Sequence, residues 1–237
     1  MKTQDIEYSV GGTRFVGYFA VEEGGAGRRP GVLIGPEGGG LVDLTRSIAR
    51  RLAAAGYAAF AMDYYGDGKS LSDMNQVMAR LGPWMADPTG IREIAVAALK
   101  VLIDQPETDA ARLAAIGYCF GGTTALELGR SGADLKAIVG FHSGLATARP
   151  QDAAAIKAKV LVCIGADDPI IPPQQRLDFE QEMKTGGVDW RMNLCGGAGH
   201  SFTNPDVGAL GRPGFAYDAP TDRRSWAAML DLFAETL

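Results

Sequence analysis

"AAIGYCFGGTTALELG", residues 114–129, decides how the chain is read. An apolar run enters a glycine bracket, Gly117-Tyr118-Cys119-Phe120-Gly121, and leaves it as a helical pattern. Strand, tight turn and helix are the setting of a nucleophile elbow. The central residue there is held in a strained backbone conformation, and glycines two residues either side remove side chains that would collide with it. The bracket alone fits a buried structural cysteine as well, because free cysteine is among the most buried residue types. The strand-turn-helix setting favours a nucleophile at Cys119, lifted above the C-terminal edge of a sheet, where α/β clefts form.

Outward from the bracket, short apolar runs alternate with longer helical patterns, as in a parallel sheet covered by helices on both faces. "TRFVGYFAV" (13–21) reads as an early strand, hairpin-paired with "DIEYSV" across Gly11-Gly12, and "PGVLIGPE" (30–37) as a buried strand ending in a glycine-rich loop. "LTRSIARRLAAAGY" is an amphipathic helix closed by Gly56, and "YAAFAMDYYG" (57–66) a further strand. Residues 70–105 are helical in pattern, with breaks predicted at Pro83 and at "DPTG" (87–90). After the elbow strand (111–119) and its helix (about 120–131) come strands "LKAIVGFH" and "KVLVCIGADD" and a helix at about 173–185. Strand "VDWRMNLC", a loop carrying His200 and a terminal helix complete the series. No repeat or linker interrupts it, so 1–237 is expected to form a single α/β domain.

Composition narrows the function. Hydrophobic residues are 46% and charged residues 22% of 237, enough for a sizeable core. Net charge is −5 with basic residues scattered, which disfavours a nucleic-acid partner. No signal-peptide run or membrane-span pattern is present, and three cysteines without framework spacing fit a reducing compartment, so a cytoplasmic location with no membrane partner is expected. Two histidines and no Cys-x-x-Cys pair leave little to build a metal site from, and no cofactor is expected. Cys163, inside "KVLVCIG", and Cys195 read as structural.

A thiol attacks as thiolate, so Cys119 needs a base. His200 in "CGGAGHSFTNP" follows the last strand, and the order nucleophile, acid, histidine is the one a nucleophile elbow in this fold uses. The acid belongs on the loop after the penultimate strand, where "CIGADDPIIPP" offers Asp167 and Asp168. The oxyanion donors are expected to be the N–H of Phe120 and that of Gly38 in "GPEGGG". His142 precedes the acid, the wrong order for the base, and reads as a substrate contact at the cleft rim or as packing.

These residues resemble the dienelactone hydrolase family of the α/β-hydrolase fold over nearly the whole chain. The most specific marks are G-x-C-x-G-G at 117–122, the D-x-x-[VI]-P pattern from Asp168 to Pro172, and G-H-S-F at 199–202. The resemblance implies a Cys119, His200, Asp168 triad, since Asp167 misses the proline spacing by one. It also implies that Glu37 is a first-loop carboxylate able to interact with the resting cysteine. Family members acting on dienelactone hold its carboxylate with arginines, one of them four residues after the catalytic histidine; that position is Asn204 here. Arg80 is the candidate for a second such contact, against a solvated helix face.

Without the clamp, neutral activated carboxylic esters or lactones are the expected small-molecule substrates, cleaved through a thioester, with Trp84, Met85 and Phe141 as an apolar wall. Amides suit a thiol nucleophile poorly. The rival enzyme reading is a phosphoester hydrolase using the same cysteine; a non-catalytic ligand-binding or redox-sensing protein is the rival outside catalysis. The assembly is expected to be a monomer or homodimer.

Overall fold

The computed structural model describes residues 1–24 and 27–237. Its strands are β1 (Lys2–Val10), β2 (Thr13–Val21), β3 (Arg29–Gly35), β4 (Ala58–Ala61), β5 (Thr108–Tyr118), β6 (Ala137–Phe141), β7 (Lys159–Gly165) and β8 (Trp190–Cys195). The α-helices are α1 (Asp43–Ala54), α2 (Met74–Ala86), α3 (Thr89–Ile103), α4 (Phe120–Arg130), α5 (Pro173–Gly186) and α6 (Ala219–Thr236). The strands form one sheet in the order β1-β2-β4-β3-β5-β6-β7-β8. β1 and β2 pair antiparallel across Gly11-Gly12, where both residues have positive φ, and β2 runs antiparallel to β4; the other pairs are parallel. This is the mostly parallel sheet of an α/β architecture.

Strand periodicity sorts the core into two layers. On β5, Leu113 and Ala115 face one cluster and Ala114 and Ile116 the other; on β7, Val160 and Val162 oppose Leu161 and Cys163. One layer is closed by α1 and α6 through Ala49, Leu52, Met229 and Phe233. The opposite layer is closed by α2 to α5, through Val77, Leu99, Leu126 and Met183 among others.

The connections place the site. From β3 the chain goes outward to β4, then returns across β3 to β5. The loops after β3 and β5 therefore diverge, opening a crevice at the carboxyl ends of these two strands.

Two expectations are corrected. Pro83 lies inside α2 without ending it; only the bond to the Ala79 carbonyl is lost, close to the helix end on an exposed stretch, while Asp87-Pro88 does separate α2 from α3. The strand expected over 57–66 pairs only at Ala58–Ala61. Beyond it the buried Asp63 carboxylate accepts N–H bonds from Val16, Tyr65, Gly66 and Gly68 and folds 63–68 into a turn.

Candidate active site

Cys119 directly follows β5 and immediately precedes α4, with φ 53° and ψ −121°. Its N–H bonds the Phe141 carbonyl at 3.0 Å, and its carbonyl receives Gly122 and Thr123, so the strained residue is held from both sides. Glycine is required where the turn closes: a Cβ on Gly117 would lie 2.0 Å from the Gly121 carbonyl carbon, and one on Gly121 2.0 Å from the Gly35 oxygen. Among the described residues four non-glycines have left-handed backbone, Asp67, Cys119, His142 and Ser201, and three of the four converge here. Each costs roughly 1–3 kcal/mol, which the surrounding packing must offset.

His200 is 1% exposed, and its Nδ1 lies 2.7 Å from Oδ2 of Asp168. Asp168 is itself buried, its Oδ1 accepting the Ile170 N–H at 2.8 Å, whereas Asp167 is exposed. Nε2 of His200 has no oxygen or nitrogen partner among the described residues. Burial opposes a charge on this imidazole, but the charge of Cys119 and the hydrogen-bonded Asp168 override it and raise its pKa to about 10.

The loop expected to supply an oxyanion donor, residues 36–40, is held by its carbonyls. Tyr64 Oη donates to the Pro36 and Glu37 carbonyls and Tyr65 Oη to that of Gly38. Pinning the Glu37 carbonyl turns the N–H of Gly38 the opposite way, as trans peptide geometry demands. The N–H groups of Gly38 and Phe120 make no hydrogen bond among the described residues. The Phe120 amide is also the first of α4, where the helix dipole favours an anion.

Glu37 turns toward the histidine loop. Its Oε2 accepts from Asn204 Nδ2 at 2.7 Å, its Oε1 is buried without a partner, and no hydrogen bond joins it to Cys119 among the described residues. Burial raises its pKa, partly offset by Ser201 and Asn204. No lysine or arginine pairs with it among the described residues; the nearest ionisable nitrogen is His142 Nε2, 4.0 Å from Oε1.

The cleft has a volume of about 470 Å³ and is bordered by Glu37, Gly38, Cys119, Phe120 and His200. One wall is α2, which contributes Met74, Val77, Met78, Leu81 and Met85 at helical spacing. Ile170, Leu210 and Phe215 face it, and Arg212, stacked on the Phe215 ring at 4.6 Å, is the single lysine or arginine in the lining among the described residues. No group of three or more His, Cys, Asp or Glu among the described residues is placed to hold a metal.

Four expected pocket residues lie elsewhere. Phe141 stacks on Tyr118 at 4.7 Å in the α1/α6 layer, because alternation along β6 turns it to that face. Trp84 stacks on Phe120 and sits behind the cleft wall. Arg80 is exposed, about 100° round α2 from Leu81, with its guanidinium over Tyr65. His142 is fully buried beneath His200 instead of at the rim. Met85, expected in the apolar wall, does line the cleft; Tyr64, Tyr65 and the rest of the α2 wall were not foreseen, although the apolar positions at 74, 77, 78, 81 and 85 carried a usable periodic signal.

A strained nucleophile-type turn after a central parallel strand, with a histidine and a buried aspartate arriving on later loops, defines an α/β-hydrolase. The sequence matches the dienelactone hydrolase family over residues 15–237, and the chain belongs to that family of hydrolases. The Yersinia pestis protein named "Putative carboxymethylenebutenolidase" is 28% identical, covering 94% of this chain and 85% of its own. Among solved structures, m3DLH is 48% identical with TM-score 0.97, covering 100% of this chain and 98% of its own. A dienelactone hydrolase-like promiscuous phosphotriesterase from metagenomic libraries is 44% identical with TM-score 0.94, covering 99% and 98%.

Proposed function

We propose that the protein hydrolyses neutral carboxylic esters or lactones through a covalent thioester on Cys119. The observation that carries this is the placement of Cys119 in one cleft with the Asp168-bound His200 and two unpaired amides, Phe120 and Gly38. His200 takes the thiol proton; the thiolate sulfur attacks the carbonyl carbon, whose oxygen becomes the oxyanion held by the two amides. The tetrahedral intermediate collapses with loss of the alkoxide, which receives the proton from the His200 imidazolium. Water then attacks the thioester, His200 accepting its proton and returning it to sulfur, while Asp168 keeps the imidazole oriented. An apolar α2 wall suits neutral, bulky acyl or aryl groups.

The test is a panel of esters, lactones and phosphotriesters on wild type and Cys119→Ala. Equal hydrolysis by both would end this reading. Phosphotriester cleavage is the second reading, favoured by the 44% identical structure described as a promiscuous phosphotriesterase; the panel ranks the two.

The raised His200 pKa sets the alkaline side of the rate profile. For esters of weakly acidic alcohols, which need the imidazolium as acid, kcat/KM falls as pH rises through about 10. Aryl esters with good leaving groups need no such proton and lack that limb. Paired pH–rate profiles check this.

Met78, 49% exposed on the cleft side of α2, is placed to contact the substrate. Met78→Ser removes roughly 1 kcal/mol of apolar contact and raises KM about fivefold for long-chain or aryl esters, with acetate-sized esters much less affected. Steady-state kinetics over an acyl-chain series decides it.

A further inference from the structure

Besides the His200–Asp168 bond, two polar contacts from opposite sides tie the histidine loop to the rest of the site. Asn204 reaches Glu37 on the oxyanion loop, and the Thr203 hydroxyl lies 2.8 Å from His142 Nε2 at the end of β6. His142 is 0% exposed and does not line the cleft, so its strained φ of 41° has no substrate contact to explain it. What the strain accomplishes is placement. The residue before it, Phe141, holds the Cys119 N–H, and His142's own N–H bonds the Cys163 carbonyl on β7 at 2.8 Å. Its ring meets those of His200 and Phe202 edge-on, with centroids at 5.2 and 5.1 Å. His142 thus bridges the strand end that fixes the nucleophile and the loop that carries the base.

We infer that His142 and Thr203 are positioning residues that set His200 against Cys119 through the Nε2–hydroxyl bond. This rests on the reading of His200 as the base. The groups facing His142 are His200, Thr203 and Phe202 from the histidine loop, Glu37 from the oxyanion loop and Tyr118 from β5. Burial and the neighbouring His200 hold the His142 imidazole neutral, well below the usual histidine range. A neutral ring suits the role: an imidazolium there would repel the imidazolium that His200 becomes during turnover.

The experiment compares Thr203→Val, which keeps shape and loses the hydroxyl, with Thr203→Ser, which keeps the hydroxyl. Thr203→Val is expected to lower kcat about tenfold with KM within about twofold, and to move the alkaline limb of alkyl-ester turnover to lower pH. Thr203→Ser restores kcat to within about threefold of wild type and returns the limb. His142→Phe, which keeps a ring against His200 and Phe202, lowers kcat similarly, and adding Thr203→Val to it produces no further loss. Wild-type kcat in Thr203→Val, failure of Thr203→Ser to rescue, a change in KM alone, or additive losses in the double variant would each overturn the inference. If Thr203→Val does not fold, the His142→Phe comparison with wild type decides by the same kcat and pH criteria. His200→Ala in the same series separates the two levels. If it turns over like wild type, the reading of His200 as base fails; if it is inactive while Thr203→Val is unaffected, only the positioning role fails.

Discussion

Replacing Cys119 by alanine is expected to lower ester turnover by on the order of 10⁴-fold or more, with melting temperature close to wild type. The substitution keeps the Cβ and removes only the half-buried sulfur, so the strained turn, held by the Phe141 carbonyl and by Gly122 and Thr123, has no reason to collapse. The amides of Phe120 and Gly38 remain, and any residual rate measures what oxyanion stabilisation and binding achieve without a nucleophile. Cys119→Ser is the more instructive variant. The charge of Cys119 is the leading influence raising the His200 pKa, and a neutral hydroxyl removes it. His200 then titrates lower and must be neutral to act as base, so activity in Cys119→Ser rises with pH through that lower value. In wild type the raised His200 pKa keeps its imidazolium to about pH 10. Rapid quench of wild type with an activated ester should yield a protein heavier by one acyl group, located on Cys119 by peptide mass spectrometry. Wild-type turnover in Cys119→Ala, or acyl groups on other residues only, would sink the assignment.

Features carried by local pattern were legible in the sequence. The strand-turn-helix around Cys119, the alternating strands and the Gly11-Gly12 hairpin all rest on periodicity or on backbone requirements that residue type reveals. Asp168 was separated from Asp167 only by proline spacing, and in the structure only its carboxylate reaches His200. What failed was side-chain direction at strand ends. "GFH" ends β6 near the cleft, yet Phe141 turns into the α1/α6 core, and the left-handed backbone of His142, unusual for a non-glycine, drives its ring under the site. Contacts between distant loops were equally hidden. Glu37 and Asn204 lie 167 residues apart, and in the sequence Asn204 registered only as an absent arginine. The Asp63 turn that presents Tyr64 and Tyr65 to the 36–38 carbonyls depends on four backbone donors that no strand pattern announces.

The largest stability loss is expected at Arg130, far from the cleft but on the helix that begins directly after Cys119. Its guanidinium is 0% exposed and donates to both carboxylate oxygens of Glu182 on α5, to Glu127 on α4, and to the Leu145 carbonyl after β6. Glu127 in turn receives Arg92 of α3, which extends to Asp152. One cation therefore ties α4, α5 and the segment following His142. Arg130→Met preserves much of the volume but leaves, among the described residues, the buried Glu127 with Arg92 alone and Glu182 with no cation. Removing one partner of a buried pair costs about 3–5 kcal/mol, which for a chain of this size is a fall in melting temperature on the order of 10 °C. The pH dependence identifies the cause. Burial already raises the Glu182 pKa against the pull of Arg130, and without that arginine it rises further. A carboxyl whose folded pKa is raised contributes stability at low pH that is lost as pH rises through that pKa. The deficit of Arg130→Met relative to wild type should thus shrink as pH falls through the raised Glu182 pKa and be largest above it. Arg130→Met combined with Glu182→Gln should recover a large part of the loss at neutral pH, since the orphaned charge is gone. Thermal unfolding of the three proteins across pH tests the account. A pH-independent deficit would assign the loss to packing in place of the stranded carboxylates.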